Sequence, residues 1–379
     1  MDFTLSETQA LVRKTARDFA RREIAPRAEA VDAGAFPSEN LRGLGELGLL
    51  AINVPEDVGG QGAGAVACAL AIGEVARACA STAVVMSVTN MVGETIARFG
   101  TEPQKRAYLP GLARGDAGVG SFALSEPDAG SDPGALRTVA RRDGADYVLD
   151  GTKQWITGGT HARVFIVWAR TGVAGTRGLT CFLVEAGTAG LSIGPAADKM
   201  GIRGASTVAL AFEGCHVPAA MRLGNEGEGF KIAMTALDGG RISIAAQSQG
   251  IGRAALEQSV AYAAQRETFG APIATRQAVA FKLADMRVAL DAADLLTMRA
   301  AWRKENGVAF SREASMAKLV ASEAAVRVCQ DAVQIHGGYG YVREFPVERH
   351  FRDARVTTIY EGTSEIQRLV IARSVLASG

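Results

Sequence analysis

The chain has 379 residues, of which 48% are hydrophobic and 21% charged, and its formal net charge is +1. That length calls for two or three domains, and the composition is globular. The near-neutral balance offers no global field for nucleic acid or an anionic membrane. The cysteines, Cys68, Cys79, Cys181, Cys215 and Cys329, form no CxxC pair and no Cys/His cluster. This argues against a bound metal and for free thiols in a reducing compartment. Met1-Asp2-Phe3-Thr4 lacks the basic and apolar regions of an export signal, and runs such as Ala65 to Ile72 are too short to enter a bilayer as a span. A bacterial cytoplasmic location is expected.

Residues 1–118 read as a helical domain. Ser6 with Gln9 forms a capping-box signature, and Val12, Ala16, Phe19 and Ile24 follow at helical spacing. Pro26, Pro37, Pro55 and Gly59-Gly60 punctuate the next elements. Ala65 to Phe99 reads as one Ala-rich helical stretch closed by Gly100. Residues 119–228 read as a β-domain. Tyr147 to Thr157, Val164 to Trp168, Leu179 to Val184 and Thr207 to Phe212 are β-branched or aromatic runs bounded by Gly and Pro. Val208, Leu210 and Phe212 alternate onto one face. No helix intervenes, so the expectation is a small antiparallel barrel or sandwich and not a doubly wound sheet. Residues 229–379 are helical again. Phe230 to Arg266, Thr275 to Glu305 and Ser311 to Ile335 are long, Ala- and Leu-rich segments that suit a four-helix bundle with subunit contacts.

Gly250-Ile251-Gly252-Arg253-Ala254-Ala255 matches a dinucleotide fingerprint but lies inside a helical run, so that reading fails its context. Gly337-Gly338-Tyr339-Gly340-Tyr341 follows a helix end. It serves either as a cap or as backbone that approaches a phosphate or sugar. Phe122 to Asp132 ends a strand in a polar turn with free N–H groups, which can bind the edge of a planar cofactor. Lys153-Gln154-Trp155-Ile156-Thr157-Gly158-Gly159 offers a Trp that either stacks on such a ring or fills the core. Last comes Thr357-Thr358-Ile359-Tyr360-Glu361-Gly362-Thr363-Ser364-Glu365-Ile366-Gln367-Arg368. Taken alone, this reads as a helix start near Glu365, capped by Thr363 or Ser364. The functional reading is a desolvated carboxylate, Glu361, acting as a base.

Together, Phe122 to Asp132, Trp155-Ile156-Thr157, Arg266-x-x-Phe269-Gly270, Gln334 to Gly338 and Ile359 to Gln367 resemble the acyl-CoA dehydrogenases in content and order. The match spans nearly the whole chain. It looks closest to the short-chain and branched-chain members, through Met200-Gly201-Ile202-Arg203-Gly204, Ser206-Thr207 and Leu237-Asp238-Gly239-Gly240-Arg241. The resemblance implies a helical N-terminal domain, a middle β-domain and a C-terminal four-helix domain. It also implies FAD, with Phe122, Leu124, Ser125, Trp155 and Thr157 at the ring, and Ile156, Thr363 and Glu365 also contacting the cofactor. Arg266, Phe269, Gln277, Gln334, Gly337 and Gly338 would serve the FAD of an adjacent subunit in a homotetramer, a dimer of dimers. Ser131 would contact the CoA arm, Asp238 and Arg241 the nucleotide end, and Glu361 with Gly362 the thioester. The Glu361 peptide N–H would bind the thioester carbonyl. Electrons would pass to an electron-transfer flavoprotein.

The chemistry suits those residues. The α-C–H of a thioester is a weak acid, so its removal needs a placed base and stabilisation of the enolate. Gly239 and Gly240 would each cost about 1 kcal/mol in a helix; either close approach of the acyl chain or a simple kink would explain them. The chain also departs from the pattern. Gly158 stands where many relatives have Asn, His336 where an apolar residue is common, and Asp128 where a small one is. Gly240 occupies the place of the base in isovaleryl-type members, which leaves Glu361 as the base. Other readings are an oxidase or carrier-thioester desaturase on the same fold, or a non-enzymatic CoA-binding scaffold. The joint presence of Glu361, Trp155 and Arg266 argues against the scaffold.

Overall fold

The structure is a computed structural model that describes residues 4–172 and 174–377. Met1, Asp2 and Phe3, part of the segment where no export signal is expected, lie outside the described residues. The N-terminal helices are α1 (Glu7–Phe19), α2 (Ala28–Asp32), α3 (Ser38–Glu46), α4 (Gly64–Ala78), α5 (Ala80–Phe99) and α6 (Glu102–Arg114). At α1 the expected box is complete: Ser6 Oγ accepts from Gln9 N and Gln9 Oε1 from Ser6 N. The stretch expected as one helix over Ala65 to Phe99 is two. Cys79 is extended (φ −155°, ψ 109°) and separates α4 from α5. No Gly or Pro announces the break. A long-range bond fixes the first turn of α5, where Asn40 Nδ2 donates to Thr82 Oγ1 at 3.0 Å.

The middle strands are β1 (Val119–Ala123), β2 (Val139–Asp143), β3 (Asp146–Thr157), β4 (Ala162–Arg170), β5 (Leu179–Glu185), β6 (Leu191–Ile193), β7 (Thr207–Val217) and β8 (Arg222–Leu223). They form one sheet in the order β6-β7-β3-β2-β4-β5-β8, with β1 beside β4. Pairing is antiparallel as expected, except that β1, and one β2 pair, lie parallel to β4. Alternation gives the sheet two buried faces. Val208, Leu210 and Phe212 share one core with Tyr147, Phe165 and Phe182. Val164, Ile166 and Trp168 turn the other way into the main helical core, where Trp168 Nε1 donates to Gly229 O at 2.7 Å.

The C-terminal part comprises α7 (Gly229–Gln265), a short ribbon of β9 (Glu267–Thr268) and β10 (Ala271–Pro272), α8 (Gln277–Glu305), α9 (Ser311–His336), α10 (Val347–Arg355) and α11 (Ser364–Leu376). The 37-residue α7 is the element that both helical parts share, packing on α4 and α5 as well as on α8 and α9. Gly250 serves this packing. A Cβ there would lie 2.2 Å from Gly73 O of α4, and one at Gly252 would strike Leu290 of α8. The apparent nucleotide fingerprint is thus a helix crossing. On the outer face of α8, Phe281, Val288, Leu295 and Trp302 recur every seven residues and are each more than half exposed. Among the described residues no helix is long and apolar enough to cross a membrane, and no cluster could hold a metal ion.

Candidate active site

Glu361 lies in the turn between α10 and α11. Its backbone is left-handed (φ 54°), as is that of Gly362 (φ 87°). For a glutamate this costs on the order of 1 kcal/mol or more and persists only where surroundings impose it. Those surroundings are polar and buried. Gln367 Nε2 donates to Glu361 O at 3.1 Å and to Gly362 O at 2.9 Å. Lys318 Nζ, from the middle of α9, donates to Gly362 O at 2.8 Å. Thr363 caps α11, its Oγ1 accepting from Ile366 N at 3.3 Å. The Glu361 N–H has no acceptor among the described residues.

The Glu361 carboxyl points at α7. An ideal Cβ on Gly240 would lie 2.6 Å from Glu361 Oε2 and 3.0 Å from Met91 Sδ. A side chain at this position would therefore crowd the carboxylate and Met91, so Gly240 gives Glu361 its room. Gly239 is likewise crowded, by Lys304 Nζ at 2.8 Å, which pairs with Glu94 at 2.7 Å. Glu361 Oε2 is shut off from solvent with no hydrogen-bond partner. Burial pushes the carboxyl up to about 7, against the pull of Arg241 and Lys318. A carboxylate in this state is a competent base near neutral pH.

Asp238 and Arg241 sit on one face of α7, 2.5 Å apart. Arg241 is 5% exposed and also bonds Ser315. Its charge bears on Glu361. Burial and pairing therefore turn Arg241 inward. Asp238, bonded to Ser311 Oγ at 3.0 Å, stays nearer the surface.

The second group of site residues forms a platform on the sheet. A bulge interrupts the β3–β7 register between Lys153 and Ile156. Trp155 takes φ 66° and is thrown out to 63% exposure. Bulges next to functional sites re-aim side chains in this way. Ile156 falls back into the β-core at 1% exposure, so its side chain is turned away from the surface that carries Trp155. Gln154 N donates to Ser125 O, and Ser121 Oγ to Thr157 O, which lays the two segments side by side. Lys153, fully buried, bonds Leu124 O at 3.1 Å and Glu126 at 2.8 Å. Glu126 in turn accepts from the Arg137 and Thr138 amides. Phe122 packs on Trp168 at 4.3 Å, Leu124 is buried, and Ser131 is exposed at the turn's tip. Gly158 has φ 74°, a region that Asn also tolerates. The departure from Asn thus preserves the backbone. The platform and Glu361 meet through α5, where Gly120 of β1 lies on Val92, next to Met91.

The third group stands apart. Arg266, Phe269 and Gln277 gather around the β9–β10 ribbon, and Gln334, Gly337 and Gly338 close α9 beside it. A cleft of about 730 Å³ is lined by Tyr262, Arg266, Ile335, His336, Gly337 and Gly338, among others. Phe269 is 98% exposed and left-handed (φ 52°). His336 stacks on Tyr262 at 4.3 Å and bonds Ala332 O through Nδ1. Burial lowers its pKa, and the ring is packed into the last turn of α9. Gly240 and Arg266 are 26 residues apart, on α7 and at its end, and about 1.5 Å per residue places this cleft about 39 Å along the helix from Glu361. That is further than one FAD molecule extends.

Sequence reasoning missed Lys318, Gln367, Glu126 and Lys153 as supports. The available signal for Lys318 is a lone cation in the otherwise uncharged run Ala314 to Ala321.

Three family models cover the chain: the acyl-CoA dehydrogenase N-terminal domain over residues 6–116, the middle domain over 121–215 and the C-terminal domain over 227–376. The short-chain specific acyl-CoA dehydrogenase, mitochondrial, of Bos taurus is 51% identical over 99% of this chain and 91% of its own. Butyryl-CoA dehydrogenase from Megasphaera elsdenii superposes with a TM-score of 0.97 at 42% identity, covering 99% of this chain and all of that one. A chain from structural work on the electron transferring flavoprotein of Acidaminococcus fermentans matches with the same score, identity and coverage. The chain belongs to the acyl-CoA dehydrogenase family of FAD-dependent oxidoreductases.

Proposed function

We propose that the chain oxidises a short- or branched-chain acyl-CoA to the trans-2-enoyl-CoA, with Glu361 as the base, and hands the electrons to an electron-transfer flavoprotein. The observation that carries this is the Glu361 carboxyl itself: buried, with Oε2 unpartnered, and seated against the backbone of α7 at Gly240. Glu361 takes the α-proton. Its own N–H, free of other acceptors, is available to the thioester carbonyl, where enolate charge develops. Ser131, exposed at the turn of the platform, is placed for the CoA arm, and Gly362 borders the thioester.

The residues present fit FAD. The bulge offers a free Trp155 face, Ser125 and Thr157 flank it, and Thr363 and Glu365 lie beside the base. Phe122 and Leu124 support the platform from beneath. Bound FAD would supply the acceptor for the hydride leaving Cβ. The distant cleft with Arg266, Phe269, Gln277, Gln334, Gly337 and Gly338 is read as the seat for part of a second subunit's FAD. The heptad stripe on α8 supports a homotetramer built as a dimer of dimers. A pocket of about 320 Å³ beside Met91, Glu94, Gly239 and Lys304 supports a short acyl group, in keeping with the names of the relatives. The likeness to a chain from the electron transferring flavoprotein work supports that acceptor.

The test is Glu361→Gln. Purified protein should stay yellow but fail to bleach with butyryl-CoA under anaerobic conditions, where the unaltered protein bleaches. Undiminished bleaching would remove Glu361 from the role of base.

A further inference from the structure

We infer that Lys318 is a positioning residue, which clamps the Glu361–Gly362 turn and supplies a positive charge that, together with that of Arg241, favours the ionised form of the Glu361 carboxylate. The inference rests on the reading of Glu361 as the base. Its ground is a buried charge with no other use. Lys318 is fully buried, and no carboxylate lies within ion-pair distance of it among the described residues. Its ammonium bonds one carbonyl, Gly362 O. Burying an ammonium costs several kcal/mol, which a single neutral acceptor does not offset. A methionine would fill the same space without that cost.

The missing counter-charge is one residue away from that carbonyl. Glu361 presents a buried oxygen with no partner, and its field is the largest support for the Lys318 charge after burial has acted against it. The other ionisable groups facing the pair are mostly committed. On α7, Arg241 is ion-paired with Asp238 at 2.5 Å. On α9, Glu323 pairs with Arg368 of α11 at 2.6 Å. Glu365 of α11 is exposed. Tyr360, in the turn, donates its hydroxyl to Gln247 at 2.6 Å. Arg241 bears on Glu361 more strongly still, but it already has Asp238 as its partner, which leaves Lys318 as the cation near Glu361 without a carboxylate of its own. Burial brings the two together from opposite sides, Glu361 up to about 7 and Lys318 down to about 8.

The clamp and the charge can be separated. Lys318→Gln retains a donor for Gly362 O without the charge, Lys318→Met removes both, and Lys318→Arg keeps the charge. Two readouts are taken on the FAD-loaded protein: the pH profile of anaerobic bleaching by butyryl-CoA, and the infrared titration of the ¹³C-glutamate carboxyl that Glu361→Gln abolishes. In Lys318→Gln and Lys318→Met the carboxyl midpoint should rise by about one unit, a tenfold loss of ionised base on the acid limb. Lys318→Gln should recover toward the unaltered rate at high pH and Lys318→Met should not. Lys318→Arg should keep the midpoint. If Lys318→Met does not fold, Lys318→Gln decides alone. An unmoved midpoint in Lys318→Gln overturns the inference. Bleaching that survives in Glu361→Gln would instead sink the base assignment, and the infrared midpoint would still report whether Lys318 and Glu361 are coupled.

Discussion

The turn at Glu361 and the edge at Phe269 both hold a residue in a left-handed backbone, yet they are built in opposite ways. Around Glu361, buried side chains from α9 and α11 grip the main chain, and a glycine on α7 makes room for the carboxylate. Around Phe269, the ring is 98% exposed, and the nearest tie is Arg276, which donates to Thr268 O at 2.7 Å and lies over the ring at 5.7 Å. One region is finished within the chain. The other has the strain of a functional site without partner atoms from within the chain that would justify it.

Changes at the finished site should therefore harm chemistry, and changes at the open edge should harm assembly. The largest effect is expected from Gly240→Ala. Its methyl would displace the Glu361 carboxylate, and a misplacement of about 1 Å costs about 100-fold in rate. Stopped-flow bleaching should show that loss with bound FAD unchanged; a loss below tenfold would mean that the turn is softer than it looks. Next, Val288→Glu with Leu295→Glu should leave helicity intact and halve or quarter the mass measured by light scattering. An unchanged mass would remove the α8 stripe from any interface. Third is a pH effect. Glu361 binds its proton more tightly folded than unfolded, so its contribution to stability is complete below about pH 4.3 and is lost as pH rises through about 7. Glu361→Gln should be the more stable variant at pH 8, by about 1–3 kcal/mol in urea unfolding; parallel profiles at pH 5 and 8 would contradict the burial. Smallest is Phe269→Ala. It should leave the unfolding midpoint within about 0.5 kcal/mol while weakening FAD retention a few-fold on gel filtration, and equal retention would break the contrast.

Much of this was legible in the chain because local chemistry decides it. Ser6 and Gln9 announce a helix start, and Val208, Leu210 and Phe212 alternate because a pleated strand does. What was not legible depends on partners far away in sequence. Cys79 breaks a helix with no Gly or Pro nearby, where Thr82 answers to Asn40. Ile156 looked like part of a cofactor motif, but the bulge that frees Trp155 sends it into the core. Gly240 was rightly suspected of close contact, although its visitor is Glu361. Lys318 stands 44 residues from the carbonyl it holds, and no local pattern joins them.

The helix α7 has one further consequence. It meets the Glu361 carboxyl at Gly240 and ends at Arg266 beside the open cleft, so it works as a ruler between two sites. A single inserted or deleted residue between these points would swing one site about 100° around the axis relative to the other and shift it by about 1.5 Å. An insertion in the Gly307–Phe310 connection would leave that spacing intact, whereas one between Gly240 and Arg266 would change it.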